Sequence, residues 1–428
     1  MSALNNQIQQ TSETGKLKIG LFGFGVVAQG LYEVLSRTPG FNAEIKKICI
    51  KHPDKTRSIP SDIFTDDPKD ILNDEGINTI VELIDDADAA FHIVVGALQK
   101  GKQVVSANKK MIAQHFETLQ QLQKYHNSVL LYEAACCASI PIIRNLEEYY
   151  DNDTLTSIRG IVNGSTNFIL SKMFEEQVSF EDALLTAQQL GFAESNPDTD
   201  VDGHDAANKL SILLAHAFGR VTRVSEILFS GIRNIQPADA VFANEKNLQI
   251  KFVATAQKIN EQEIAAFVLP QFVSSDSDLY AVRNEFNGLI TESSFADQHF
   301  YKGKGAGALP TAAAVLSDLS ALRYQYKYEY KKITRKSDWK IGKDYYLKVY
   351  VSAPDIHQIV KEDFEWIEEW HNEYGHSRAI GIIHIRKLLQ KTWWRENSVS
   401  LILCENPFVE NVDYKKISKR SLELAGVF

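Results

Sequence analysis

The sequence predicts an α/β protein in which the first third of the chain forms a Rossmann-type, doubly wound parallel sheet. Three observations support this. Short apolar runs rich in Val, Ile and Leu alternate with helical patterns, a glycine turn follows the first run, and 428 residues with 44% hydrophobic content suffice for two or three domains. The runs cover residues 17–22, 45–50, 77–84, 103–107 and 129–134.

The pattern changes near residue 150, and we divide the chain accordingly. Residues 1–15 are expected to form a disordered tail, and 16–150 a dinucleotide-binding domain. An α+β substrate and catalytic domain is expected over 151–304. A basic stretch then precedes a small C-terminal domain over 336–428 with a β-α-β-β order, in which the segment EDFEWIEEWHNEY (362–374) is expected to be an amphipathic helix.

Composition argues against several classes of partner. The net charge is −9 and no Lys/Arg block is present, so neither nucleic acid nor an anionic membrane is an expected partner. The N-terminal segment is polar, which is unlike a signal peptide or anchor. Four scattered cysteines form no CxxC pair, and the histidines show no metal-ligand spacing. We expect a cytoplasmic protein.

The stretch KIGLFGFGVVAQG reads as a strand, a glycine turn and the start of a helix. Gly23 permits the tight turn, and Gly25 lets the backbone approach a pyrophosphate, while Ala28 replaces a third glycine. The pyrophosphate would lie at the helix N-terminus. The expected cofactor contacts in this turn are Gly23, Phe24, Gly25, Val26 and Val27.

The second strand, KKICIK, ends in Lys51, where NAD-specific folds often have an acid. A cation there suits the 2′-phosphate of NADP, and a solvated strand end is the alternative. NADP is therefore the preferred cofactor and NAD the second choice.

The segment GFAESNPDTDVDGHDAANKLSIL concentrates acidic residues before a helix. Asp202 is expected as the helix N-cap, and Asp205 and Lys209 are spaced (i, i+4). Helix capping alone leaves the like charges of the preceding loop unexplained, whereas a bound cation such as a substrate ammonium group would account for them. The acids concerned are Glu194, Asp198, Asp200, Asp202 and Asp205.

This segment closely resembles the signature of homoserine dehydrogenases. Three further stretches resemble the family in the same order, namely VVSANKKMIA, NGSTNFIL and YKGKGAGALPTAAAVLSDL. Together with the glycine turn, the resemblance spans roughly residues 16–325. It implies NAD(P)-dependent interconversion of L-homoserine and L-aspartate 4-semialdehyde in threonine and methionine biosynthesis.

The resemblance also implies roles for individual residues. Lys209 is implied as the proton donor, and Asp205 as the group that holds the substrate oxygen and orients the lysine. Glu194 is implied as a ligand of the substrate ammonium, supported by Asp200. Lys109 resembles the family lysine beside the nicotinamide, and either lysine is a candidate for proton transfer.

Further implications concern the cofactor, a cation and the assembly. Residues 305–330 are expected to fold back onto the first domain and to bring Gly305 to the cofactor. A homodimer through the second domain is expected, with an ACT-like regulatory domain or a structural addition at the C-terminus. The loop YEAACCASIPI corresponds to a sodium site in relatives, whose backbone carbonyls would come from Glu133, Cys136, Ala138 and Ile140.

Two departures from the family pattern keep alternatives open. Asp85 and Asp86 stand where relatives carry glycines near the cofactor, and the CCAS loop has lost glycines. One alternative is a catalytically silent regulator that binds a nucleotide or an amino acid. Another is an oxidoreductase of the same fold that acts on a different amino-acid aldehyde.

Overall fold

A computed structural model describes residues 15–57, 59–152, 155–335 and 338–409. Except for Gly15, the predicted tail lies outside the described residues. The chain divides into two compact units: one holds the described residues of 1–153, 211–224 and 303–337, and the other holds those of 154–210, 225–302 and 338–428. Among the described residues, no helix combines the length and the hydrophobicity needed to cross a membrane.

Strands and helices alternate in the first unit, whereas strands dominate the second. The strands are β1 Leu17–Phe22, β2 Ala43–Cys49, β3 Phe64–Thr65, β4 Thr79–Glu82, β5 Gln103–Ser106, β6 Leu130–Leu131, β7 Leu155–Ile161, β8 Leu228–Phe229, β9 Leu248–Lys258, β10 Glu263–Ser274, β11 Phe286–Ser293, β12 Asp297–Lys304, β13 Lys340–Ile341, β14 Tyr346–Ala353, β15 Phe364–His371, β16 Ser377–His384 and β17 Ser400–Val409. The α-helices are α1 Val26–Ser36, α2 Lys69–Leu72, α3 Ala87–Gln99, α4 Lys109–His126, α5 Ile142–Glu148, α6 Gly164–Glu176, α7 Phe180–Gln189, α8 Asp198–Val201, α9 His204–Phe218, α10 Pro237–Glu245, α11 Ala308–Arg323, α12 Lys331–Thr334 and α13 Ile385–Gln390.

The first unit contains a parallel sheet in the order β3-β2-β1-β4-β5-β6. Its central strand β1 is an apolar run that is almost wholly buried, as expected for a strand covered by helices on both faces. The strand order reverses between β1 and β4, so the carboxyl ends of these two strands lie at the switch point where such sheets bind ligands. The predicted Rossmann-type fold is confirmed.

The second unit is built on a mixed sheet in the order β12-β11-β7-β9-β10-β17-β14-β16-β15. The long hairpin of β9 and β10 forms its centre, in antiparallel register from Ile264 opposite Lys258 to Ser274 opposite Leu248. The connector after β7 leads directly into α6, and this connector positions the acidic segment described below.

The C-terminal strands continue this same sheet, because β17 pairs with β10 at Gln271 and Leu403. The prediction of a helix over 362–374 is wrong, since β15 occupies most of that segment and pairs with β16. From β14 onward the element order is therefore β-β-β-α-β rather than the expected β-α-β-β, and the short strand β13 precedes it. The pairing of β15 shifts register between Phe364 and Trp366 and again between Ile367 and Glu369, which disrupts the alternation typical of a strand.

Candidate functional site

The glycine turn leaves space at the N-terminus of α1. Gly23 has φ +89°, and a Cβ there would lie 2.7 Å from the carbonyl oxygen of Leu83, so only glycine fits. Gly25 is the N-cap of α1, and a Cβ there would meet no atom within 4 Å. The next residue, Val26, is 68% exposed. An anion can therefore approach the backbone N–H groups of this helix start.

Close packing of α1 falls two residues later than the motif suggests. Ala28, at the position of the third glycine, is completely buried. It is Gly30 that permits close approach, because a Cβ there would lie 2.6 Å from the carbonyl oxygen of Ala308 in α11. Sequence analysis missed this glycine, whose partner is remote in the chain.

The carboxyl ends of β4 and β5 carry Glu82 and Lys109 at the edge of the sheet that also bears the glycine turn. Lys109 is the half-buried first residue of α4, whose N-cap Asn108 donates its Nδ2 hydrogen to the Ile84 carbonyl at 3.0 Å. Glu82 is fully buried and accepts hydrogen bonds from the Ile84 N–H at 2.7 Å and the Ser106 hydroxyl at 2.5 Å. Burial raises the pKa of Glu82 to about 7, against the opposing effect of these hydrogen bonds.

Basic residues and an aromatic side chain surround a cavity beyond the end of β2. Lys51 is exposed and directly follows Ile50, which lines the cavity, and the guanidinium of Arg57 lies 5.1 Å from the ring centroid of Phe64. That ring also packs edge-on against Phe24 of the glycine turn, with the two centroids 5.4 Å apart. The cavity holds about 460 Å³ and is lined by residues that include Ile50, Lys55, Arg57, Phe64 and Asp66.

One of the two aspartates after β4 caps a helix. Asp86 is the N-cap of α3 and accepts hydrogen bonds from the Asp88 and Ala89 N–H groups at 3.1 and 3.0 Å. The bond from the Ala89 N–H is the main cause of a lowered pKa at Asp86. Helix capping therefore explains why an aspartate stands at this position, and no loss of cofactor binding has to be assumed.

The second unit brings Asp205 and Lys209 together as a buried ion pair at the start of α9. The lysine Nζ lies 2.7 Å from the Oδ2 of Asp205, and the two side chains are 8% and 1% exposed. The same Nζ donates a hydrogen bond to the carbonyl oxygen of Val162 at 2.7 Å. Burial of such a pair is costly unless both partners are hydrogen-bonded. Buried charged groups of this kind are typical of functional sites.

Asn163, which sequence analysis did not assign, links this pair to Asp200. Its Nδ2 donates to the Oδ1 of Asp200 and to the Oδ2 of Asp205, both at 2.8 Å. Glu194 is exposed on the loop that follows α7. Its main-chain position is held by Gln188, whose side chain donates to the Glu194 carbonyl at 2.9 Å. The carboxylate of Glu194 thus faces solvent, whereas Asp200 is half-buried.

Arg233 accounts for part of the acidic cluster. It forms ion pairs with Asp198 and with Asp202, the latter at 2.5 Å between Nε and Oδ1. The prediction of Asp202 as the N-cap of the lysine-bearing helix is wrong, because Asp202 is the C-cap of α8 and Gly203 precedes the first helical residue, His204. Two of the crowded acids are therefore neutralised within the protein.

The loop expected to bind sodium keeps unusual backbone angles without glycine. Cys137 and Ala138 have φ +58° and +38°. The Glu133 carbonyl accepts a hydrogen bond from the Cys136 N–H at 3.2 Å, and that of Ile140 accepts one from the Ile142 N–H at 2.8 Å. A cation would share both oxygens with these donors. These bonds give no positive support for a cation at this loop.

Gly305 lies between the end of β12 and the start of α11 and is half-buried. Residues 303–337 belong to the unit that contains the glycine turn. Across the described ranges, no three His, Cys, Asp or Glu side chains are grouped closely enough to hold a metal ion.

Family models match both parts of the chain. The NAD-binding domain of homoserine dehydrogenase matches residues 23–133, and the homoserine dehydrogenase domain matches residues 141–320. The homoserine dehydrogenase of Synechocystis is 36% identical over 71% of this chain and 72% of its own length.

Solved structures show the same likeness. The homoserine dehydrogenase of Thiobacillus denitrificans matches 91% of this chain and 98% of its own with a TM-score of 0.80 and 26% identity. A hyperthermophilic archaeal homoserine dehydrogenase in complex with NADPH matches 73% of this chain and 99% of its own, with a TM-score of 0.64 and 27% identity. The chain belongs to the homoserine dehydrogenase family of oxidoreductases.

Proposed function

We propose that the protein interconverts L-homoserine and L-aspartate 4-semialdehyde, and that the buried pair of Asp205 and Lys209 performs the proton transfer. The observation that carries this proposal is the 2.7 Å contact between the Nζ of Lys209 and the Oδ2 of Asp205 in a site almost closed to solvent. A charged pair of this kind is rarely retained for stability alone, because a hydrophobic pair of similar volume serves as well.

The proton step is assigned to Lys209. The bound nicotinamide supplies hydride acceptance in one direction and hydride donation in the other. During homoserine oxidation, the terminal O–H bond breaks and its proton passes to the Nζ of Lys209, which accepts it as the amine that remains once the ammonium of the ion pair has released a proton. During reduction of the aldehyde, the Lys209 ammonium donates the proton to the oxygen on which negative charge develops.

Other carboxylates of the acidic segment are assigned to substrate binding. Asp205 holds the reacting oxygen and orients Lys209 through the ion pair. Glu194 binds the substrate ammonium, which suits its solvent-facing carboxylate, and Asp200 supports this contact. Arg233 already neutralises Asp198 and Asp202, so these two acids are assigned no substrate contact.

We propose NADP as the preferred cofactor, bound along the glycine turn with its 2′-phosphate near Lys51 and Arg57. The cavity of about 460 Å³ beyond β2 supports this assignment, because its lining offers the cations Lys55 and Arg57 beside the acids Asp54 and Asp66. The archaeal structure with NADPH supports the same cofactor class. Lys109 and Gly305 are assigned to the nicotinamide end of the cofactor.

Several further assignments belong to this proposal. We assign cofactor binding to residues 16–150 with 305–330, catalysis and homodimer formation to 151–304, and a structural or regulatory part to 336–428. A cytoplasmic location agrees with the four scattered cysteines, which form no CxxC pair. Sodium binding by the loop from Glu133 to Ile140 stays a prediction, and homodimer formation is testable by light scattering of the purified protein.

The proposal is tested by following reduced nicotinamide formation from L-homoserine with NADP and NAD in parallel, together with the reverse reaction on aspartate semialdehyde. Turnover with preference for NADP is expected. Turnover with NAD alone would keep the reaction and refute the assignment of Lys51. Absence of turnover with either cofactor, from folded protein that binds NADP, would favour a silent regulator.

A further inference from the structure

We propose that Asn163 is a positioning residue for proton transfer: its side-chain amide fixes the carboxylate of Asp205, and through it the ammonium of Lys209, in the reacting geometry. This inference rests on the proposed function. Its structural basis is separate, because it follows from the hydrogen bonds of one buried amide.

The orientation of the Asn163 amide is determined by its two ends. Its Oδ1 accepts hydrogen bonds from the Thr166 N–H at 2.9 Å and from the Thr166 hydroxyl at 3.0 Å, as the N-cap of α6. The Nδ2 must then face away from the helix, toward the Oδ1 of Asp200 and the Oδ2 of Asp205, each 2.8 Å away. A flipped amide would place an oxygen against two carboxylates.

One oxygen atom joins the amide to the lysine. The Oδ2 of Asp205 accepts from the Nδ2 of Asn163 at 2.8 Å and from the Nζ of Lys209 at 2.7 Å. The lysine donates to the carbonyl of Val162, the residue immediately before Asn163. Consecutive residues of the connector between β7 and α6 therefore hold both members of the ion pair, so this connector sets their position.

The connector itself has little room to move. Asn163 is 4% exposed and Asp205 is 1% exposed, so water has limited access to replace their hydrogen bond. A Cβ at Gly164 would lie 2.6 Å from the carbonyl oxygen of Glu285, so the start of α6 packs closely against the backbone just before β11. A neutral amide with two N–H donors also lets Asp200 and Asp205 approach one point despite their like charges.

The competing interpretation is that Asn163 only caps α6. Asp and Ser are both good N-caps, so Asn163→Asp and Asn163→Ser keep an oxygen for the Thr166 N–H. Asn163→Asp replaces the donor by a carboxylate that faces Asp200 and Asp205, whereas Asn163→Ser removes the donor without added charge. Ser179→Ala is the matched control for capping alone, because the Ser179 hydroxyl caps the neighbouring helix α7 at the Asp182 N–H, at 3.1 Å.

We would measure kcat and KM for homoserine oxidation from pH 6 to 10 in the full-length parent and the three variants. The expected kcat loss is roughly tenfold in Asn163→Ser and roughly thirtyfold or more in Asn163→Asp, in each case larger than the change in KM. In Asn163→Asp the acid limb of the kcat profile should move up by about one pH unit, since the added negative charge holds the Lys209 proton more tightly. Ser179→Ala should retain the parental kcat and profile.

Parental kcat and pH profile in folded Asn163→Asp would overturn the inference. A loss of kcat without any shift of the profile would overturn it as well, because it would indicate a structural role only. A rise in KM at parental kcat would assign Asn163 to substrate binding instead.

A second measurement does not depend on turnover. Urea unfolding of the parent, Asn163→Ser, Asp205→Asn and the double variant forms a double-mutant cycle. A coupling of at least about fivefold in the unfolding equilibrium constant is expected from the shared hydrogen bond. If the parent shows no turnover, such coupling retains Asn163 as the residue that positions Asp205 while the proposed function fails. Additive effects would overturn the inference.

Discussion

The Nζ of Lys209 lies 2.7 Å from the Oδ2 of Asp205, one helical turn away on α9. On an exposed helix such an (i, i+4) pair contributes only a few tenths of a kcal/mol, roughly 0.3–0.5. Here both side chains are almost fully buried, so each depends on the other for charge compensation. Helix stabilisation alone therefore does not explain this buried pair, and its burial supports the proton-transfer role that we propose for it.

We expect Lys209→Met to lower kcat in both directions by about 10²–10⁴-fold, because the reacting oxygen loses its proton partner. Methionine has a similar shape and no charge, and NADP affinity should stay within about twofold of the parent since the contacts assigned to the cofactor are intact. Steady-state kinetics and a fluorescence titration with NADPH provide the two readouts. The stability cost is expected to be about 3–5 kcal/mol because Asp205 loses its cation.

The matched control is Lys172→Met, which removes another (i, i+4) pair, with Glu176 at 2.6 Å on α6. This pair lies nearer to solvent, so kcat should be unchanged and the stability cost below about 1 kcal/mol. Parental turnover by folded Lys209→Met would refute the assignment of this lysine.

Substitution by alanine should affect stability at Gly23 and cofactor binding at Gly25. Gly23→Ala places a Cβ 2.7 Å from the Leu83 carbonyl at φ +89°, and should lower the unfolding free energy by roughly 1–3 kcal/mol or more. Gly25→Ala meets no protein atom, so its melting temperature should stay within about two degrees of the parent.

The Gly25 variant should instead bind NADPH at least about tenfold more weakly, since its new methyl group occupies the space through which the pyrophosphate reaches the helix. Thermal unfolding and a binding titration on the two variants separate these effects. Parental affinity in Gly25→Ala would place the pyrophosphate elsewhere.

Local patterns predicted much of this structure, and contacts between distant segments account for what they missed. Strand β1 has the bounds expected from its apolar run, and the Asp205–Lys209 pair follows from helical spacing. Asn163 is 42 positions from Asp205 and Arg233 is 31 from Asp202, and no short-range pattern reports such pairings. Local spacing predicts an N-cap at Asp202, whereas its ion-pair partner Arg233 is remote in the chain and leaves no local signal.

The error at β15 has a local physical cause. Trp366, Ile367 and Trp370 have the spacing of a helical face, and that spacing predicted a helix. In the structure, register shifts on either side of Trp366 and Ile367 interrupt strict alternation, so residues from both faces of the strand mimic helical periodicity. A pattern based on side-chain period alone cannot distinguish these two cases.

Glu82 should make the stability of the protein depend on pH in the acidic range. Its pKa rises from 4.5 to about 7 on folding, so the folded state binds more protons between these values and stability falls as pH increases from about 4.5 to 7. The full effect is on the order of 3 kcal/mol. Glu82→Gln can still accept from the Ile84 N–H and still contact the Ser106 hydroxyl, and should remove this dependence.

The measurement is urea unfolding of the parent and Glu82→Gln at pH 5, 6, 7 and 8, with the exposed Glu117→Gln as control. The stability gain of Glu82→Gln should grow up to about pH 7 and then level off. A gain that is constant across the range would show that Glu82 is ionised throughout.

Lys251 should produce the opposite dependence at alkaline pH. The side chain is 2% exposed on β9 and donates to the Val282 carbonyl at 2.6 Å, and burial lowers its pKa from 10.5 to about 7. Between these values the unfolded chain binds a proton that the folded chain does not, so stability falls as pH decreases from about 10.5 to 7. Lys251→Met removes this cost and should stabilise the protein near pH 7 by on the order of 3–5 kcal/mol, less about 1 kcal/mol for the lost hydrogen bond.

Urea unfolding at pH 7, 8 and 9 should show that the stability gain of Lys251→Met shrinks as pH rises, whereas the exposed Lys343→Met should show no such trend. A destabilised Lys251→Met at pH 7 would mean that Lys251 is charged in the folded protein and that its environment, including the nearby Glu175, compensates that charge.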